Sequence, residues 1–247
     1  MTPISELDPR PVAPIPPERI PAHRSSPTTD LRARLAGAGA LTFAGVVVLQ
    51  NVLRGSEAPA NDASARQVLD YYADHRAVTF VLVATFVLSG LGMAAFIGGS
   101  LRRLAWGGRG WATMGVVGAT GIMALFSVVV GVEEALSVAA DRLHPNASAV
   151  EALWILHNSV FSVLDLFIAI ALFGLARAGV AAGVTPRAFA WLAPIGTALL
   201  LVAAVAGPAI AAGEMMALFG VGVVGFVIWL AFLAATGVRL VRIGNEG

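Results

Sequence analysis

Glu134, His157, Asn158, Asp165 and Glu214 are the residues of this chain best placed to do chemistry, because each interrupts or borders a long apolar run. Carboxylates and an imidazole gathered in a low-dielectric setting can attract a cation, relay a proton or ligate a metal. Along WILHNSVFSVLDLFIAIALFGLA, residues 154–176, a helical turn of 100° per residue gathers Trp154, His157, Asn158, Phe161, Ser162, Asp165 and Ala169 on one side. Leu156, Val160, Val163, Leu164, Phe167 and Ile170 cover most of the rest. A polar stripe facing lipid would cost roughly 3 kcal/mol or more for its ionisable group, so this stripe is expected to face other helices.

A second stripe has a seven-residue repeat, Thr113, Thr120, Ser127 and Glu134, with Ala124 and Gly131 between. It places Glu134 inward, and Glu133, turned away by about 100°, toward headgroups or a neighbouring helix. With alternating helix directions, Gln50, Asn51, Glu133, Glu134, His157, Asn158 and Glu214 all come to the outer third of a bundle. Asp165 lies about 12 Å deeper than His157, at 1.5 Å per residue. The expectation is an outward-facing polar pocket formed by Gln50, Asn51, Glu134, His157, Asn158 and Glu214, narrowing to Asp165.

The elements that must hold these residues are membrane helices. Of the 247 residues 57% are hydrophobic and only 13% charged, against roughly a quarter charged in a soluble domain. Six stretches, about 35–53, 77–100, 111–134, 152–175, 189–211 and 214–236, each approach the roughly 20 residues that cross a bilayer. The fold class is therefore all-α, a polytopic bundle of six transmembrane helices occupying residues 35–240. Arg32, Arg34, Arg102, Arg103, Arg109, Arg177, Arg187, Arg239 and Arg242 fall on one side, Arg54, Arg66, Arg76 and Arg142 on the other. Basic residues favour the cytoplasm, which puts both termini inside and the protein in the plasma membrane as a multi-pass protein. Trp106, Trp111 and Trp191 fall near the inner boundary and Trp154 near the outer one, as an interfacial belt would have them.

Residues 1–34 carry eight of the 13 prolines and read as a disordered cytoplasmic tail, a candidate dock for a protein partner through its polyproline pieces. Residues 241–247 read as a short C-terminal tail. In the first outer loop Ser64 and Gln67 form a capping box for a short outer-surface helix whose apolar face holds Ala65, Val68, Leu69 and Tyr72. It is expected to lie at the interface as a lead-in to the second span. Ser148 and Glu151 form a second box ahead of the fourth span.

The stretch YYADHR before the second span, SLRRL after it and TPRAFAWLAPIG entering the fifth resemble those of a family of uncharacterised six-helix bacterial integral membrane proteins. The likeness covers most of residues 35–240. It implies the same architecture and brings no reaction or site with it.

Several function classes fall away. A net charge of +1 with the arginines lying beside spans gives no reason to expect nucleic acid. No cysteine is present, and no nucleophile elbow, phosphate loop or dinucleotide fingerprint occurs. No cofactor is expected. The favoured reading is a structural, sensory or complex-forming membrane subunit, its polar residues bonding across helices. The alternative is binding or transport of a cation or small basic ligand in the outward pocket. Third is a membrane-embedded hydrolase with zinc on His157, Glu134 and Glu214, which lacks any diagnostic spacing. Oligomerisation stays open.

The arginine asymmetry carries a direct test. A cysteine placed at Ala147 is expected to react with an impermeant thiol reagent applied to intact cells, and one at Ser26 is not. Labelling with the opposite sidedness would invert the topology.

Overall fold

The computed structural model describes residues 27–55, 58–142 and 146–246, and among these helices joined by short links occur and no strand does. The elements are α1 (Pro27–Arg54), α2 (Ala65–Asp74), α3 (Arg76–Trp106), α4 (Arg109–Ala140), α5 (Ala147–Ala181), α6 (Phe189–Val205), α7 (Gly207–Ala211) and α8 (Met216–Asn245). Five of them, α1, α3, α4, α5 and α8, are long and apolar enough to cross a membrane. The chain is a multi-pass membrane protein.

The expected fifth span is not one helix. α6 has 17 residues, about 26 Å at 1.5 Å per residue, short of a hydrocarbon core of about 30 Å. Pro208 has no N–H to continue the ladder, so the helix breaks at Ala206 and resumes as the five-residue α7. The Ser162 hydroxyl of α5 donates to the Gly207 carbonyl at 3.2 Å, giving a backbone acceptor at the break a side-chain partner.

Elsewhere the helices overrun the spans expected from hydropathy. α1 begins at Pro27 and α8 runs to Asn245, so residues 27–34 and 241–245 are helix, not tail. These ends have partners: Arg34 Nε donates to the Gly244 carbonyl at 2.6 Å, and Asp30 is buried. Residues 1–26, with the polyproline pieces expected to dock a partner, lie outside the described residues.

The six long elements form a closed ring in the order α1, α3, α4, α5, α6, α8 and back to α1. Glycines set how closely they approach. A Cβ on Gly118 of α4 would collide with the Ala171 backbone of α5, and one on Gly39 of α1 with the Gly92 carbonyl of α3. Such contacts give dispersion energy that bulkier residues would forfeit, and dispersion is a main cohesive term between helices in lipid. The outer surface is apolar, with Leu91, Val205 and Trp191 exposed, as lipid contact requires. Trp106 and Trp111 are exposed too, but Trp154 is buried within the bundle and takes no part in a belt.

α2 opens with the expected capping box: Gln67 N–H donates to Ser64 Oγ and Ser64 N–H donates at 2.9 Å to Gln67 Oε1. Instead of lying free at an interface it packs on the ends of α4 and α5, where Val68 and Tyr72 are buried with Val132, Leu136, Val150 and Trp154. The box expected at Ser148 does not form. α5 starts two residues earlier, capped by Asn146 Oδ1 accepting from Ala149 N–H at 3.3 Å, and Ser148 and Glu151 are exposed.

Candidate functional site

The stripe expected to turn inward on α4 faces outward. Thr113, Thr120, Ala124, Ser127, Gly131 and Glu134 are all exposed, while Gly115, Gly118, Ile122, Phe126, Val129 and Glu133 are buried. The glycine contacts with α5 choose this face, since only it lets the two backbones close. Ser127 loses little by facing lipid, because its hydroxyl donates to its own helix at the Met123 carbonyl, 2.7 Å away. The two glutamates thus exchange the places read from sequence: Glu133 is inside, 3% exposed, and Glu134 is outside.

Glu133 is held by a residue the topology reading had assigned to sidedness alone. Arg54, in the last turn of α1, donates to Glu133 Oε1 from Nη2 at 2.9 Å and from Nε at 3.1 Å, and to Oε2 from Nη2 at 3.0 Å. The His157 Nε2 of α5 stands 3.3 Å from the same Oε1. Its Nδ1 faces Asn158 Oδ1 at 3.2 Å, and Asn158 Nδ2 donates to the Asn61 carbonyl at 3.1 Å. That second bond fixes the Asn158 amide, so both ring nitrogens face acceptors: a neutral imidazole satisfies one and a protonated one both.

Aromatic groups and the first loop close over this network. Trp154 stacks on the His157 ring with centroids 4.8 Å apart, and its Nε1 donates to the Ala60 carbonyl at 3.2 Å. Asn61 Nδ2 reaches the Ile210 carbonyl of α7 at 2.8 Å. Tyr72 covers the network from α2. Its phenol is pushed well above the usual tyrosine range, first by burial and then by the charge of Glu133.

Other residues read as pocket members go elsewhere. Gln50 is fully buried, but its Nε2 donates to the Leu82 carbonyl at 3.0 Å and to Thr85 Oγ1 at 3.2 Å, clamping α1 to α3. Glu214 is exposed in the link between α7 and α8. The trio His157, Glu134 and Glu214 is therefore not assembled, and no cluster of three metal-ligating side chains occurs among the described residues. Asn51 alone of the outer α1 pair borders a cavity.

That cavity lies toward the bundle centre from Arg54, between the α1–α8 pair and the α4–α5 pair, with a volume of about 140 Å³. It differs from the expected polar vestibule in its lining. Phe43, Phe126, Phe161, Phe219, Phe226 and Trp229 supply six aromatic rings, and Asp165 the sole carboxylate. Arg54 stands at the rim, already engaged by Glu133. Asp165 is half-buried and makes no hydrogen bond or ion pair among the described residues. α8 reaches it through Gly222, where a Cβ would sit 3.4 Å from Asp165 Oδ2. Aromatic side chains around a carboxylate with no partner among the described residues suit a cation with an apolar body. The volume is close to that of an apolar protein cavity of about 150 Å³ that holds benzene.

Comparison with known proteins adds no constraint: no family model, curated protein or solved structure matches the chain.

The sequence signals for Arg54 and Glu133 were present but ambiguous, since either of two adjacent glutamates could pair across the bundle. The pair predicts its own energetics. Glu133→Leu strands a largely buried guanidinium and is expected to lower stability by about 3–5 kcal/mol, with Arg54→Met added in the same chain recovering most of that loss. Thermal melting of the two single variants and the double variant reads this directly. A double variant as unstable as the sum of the singles would mean that the two side chains do not act as a pair.

Proposed function

We propose that the protein is a six-pass plasma-membrane protein whose central cavity binds a small apolar organic cation, with the cationic group against Asp165 and the apolar body among the aromatic rings. The observation that carries this reading is the carboxylate itself. A partnerless acid facing a ring-lined cavity leaves a favourable interaction unmade, and an organic ammonium supplies both the charge and the apolar surface. α6 and α7 together make the fifth pass in this reading, and the arginine asymmetry puts both termini in the cytoplasm.

Binding is favoured over passage. Beyond Asp165, away from α2, the interior includes fully buried Leu172, Leu200, Phe232 and Leu233, an apolar layer that a desolvated cation crosses only at high cost. The closed network of Arg54, Glu133, His157 and Asn158 supports a second role as scaffold, for it ties α1, α4 and α5 together with its groups engaged on one another. A hydrolase has no such support, because the ligand set it needs is dispersed.

The test is thermal unfolding in zwitterionic lipid nanodiscs with benzylammonium, and with toluene as its neutral counterpart. Benzylammonium is expected to stabilise the wild type saturably, by about 2.7 kcal/mol at a hundredfold excess over Kd. Toluene should do much less. Asp165→Asn keeps the shape and should fold, yet lose the benzylammonium response. An undiminished response in Asp165→Asn would contradict the proposal.

A further inference from the structure

We infer that the cation reaches this cavity sideways from the bilayer, through a gap between α1 and α8 in the leaflet on the α2 side, so that the natural ligands are membrane-partitioned cations. The inference rests on the binding reading above and adds the route and the ligand class.

The gap follows from how the two helices are held. At the ends remote from α2 they touch: a Cβ on Gly37 would lie 2.5 Å from the Gly237 carbonyl, and one on Gly244 would lie 2.7 Å from the Asp30 carbonyl. Toward α2 each helix is drawn to a different neighbour. Gln50 fastens α1 to α3 and Arg54 fastens it to α4. α8 leans instead on α6, where a Cβ on Gly225 would be 2.9 Å from the Gly196 carbonyl and one on Gly222 would be 2.8 Å from Ala203 Cβ. Gly45 of α1 and Gly220 of α8 meet nothing within 4 Å. The pair is a wedge, closed at one end and open at the other.

The cavity opens into that wedge. Of its lining residues toward the α2 side, Asn51 of α1 and Phe219 (52%) and Val223 (42%) of α8 are exposed, while Arg54 is held by Glu133 and Gly222 is buried. Its lining from α4 and α5 includes Ile122, Leu164 and Ile168, all buried. Val48 and Val52, next in the chain to the lining residues Val47 and Asn51, are exposed as well. A mouth edged by valine and phenylalanine suits lipid and repels water. Over α4 and α5 the α2 side is shut by Trp154, Tyr72 and the Arg54–Glu133–His157 contacts. The gap therefore selects molecules that already dissolve in the bilayer and carry a charge for Asp165.

The test separates route from site. Protein in phosphatidylcholine vesicles is mixed with benzylammonium or 4-butylbenzylammonium, and association is followed by tryptophan fluorescence alongside equilibrium affinity. At equal aqueous concentration the butyl compound, being enriched in the bilayer, is expected to associate faster. Gly220→Phe, at an open position outside the cavity lining, should slow both by at least about tenfold, a change well within the range that access alone produces, with affinity little altered. Equilibrium binding with rates set by aqueous concentration and unmoved by Gly220→Phe would overturn the lateral route alone. Absence of equilibrium binding in the wild type would overturn the cation site, and the route with it.

Discussion

Arg54 and Glu133 meet across 79 residues of chain, and the α2 half of the molecule is arranged around that contact. Either charge alone is expensive among apolar helices, by several kcal/mol after relaxation. Their two-pronged bond offsets the cost and in doing so fixes the end of α1 against α4. His157 brings α5 to the same carboxylate, and its neighbour Asn158 brings in the first loop at Asn61. One acidic side chain thus orders three long helices and a loop, and α2 seals it by burying Tyr72 and Val68 over the top.

The same arrangement explains why a space persists below. On the α2 side α1 is fastened to α3 and α4, while α8 packs through its glycines on α6, and the cavity lies between them. The ring of six then encloses a room that its aromatic side chains narrow but do not fill. Arg54 is committed to Glu133, so it is not free to compensate Asp165. Pairing one acid leaves the other, Asp165, without a partner among the described residues, and that is where we propose a ligand.

Much of the fold was legible because hydropathy and helix length are dictated by the bilayer. The α2 capping box was equally plain, since Ser64 and Gln67 act locally. Which face of α4 turns inward was not legible from its polar residues. Hydroxyls such as Ser127 satisfy themselves on their own helix, so they carry little information about direction, whereas Gly115 and Gly118 mark the face where backbones meet. A search for close-packing glycines would have pointed to Glu133 instead of Glu134. The role of Arg54 was hidden differently, because a basic residue at a helix end serves topology and pairing alike, and only its partner in space decides between them. The break in the fifth span has a local signal in Gly207 and Pro208, a glycine followed by a residue with no N–H for the ladder.

The α2 half of the bundle depends on the Arg54–Glu133 contact holding in the bilayer. Dipolar recoupling by magic-angle-spinning NMR, on protein carrying labelled arginine nitrogens and glutamate carboxyl carbons, with Glu133→Gln as the assignment control, measures it most directly. A strong coupling that disappears in the control is predicted from nitrogen–oxygen separations of 2.9 to 3.1 Å. No coupling between these groups would mean that α1 is not fastened to α4, and neither the closed α2 side nor the wedge beside α8 would follow.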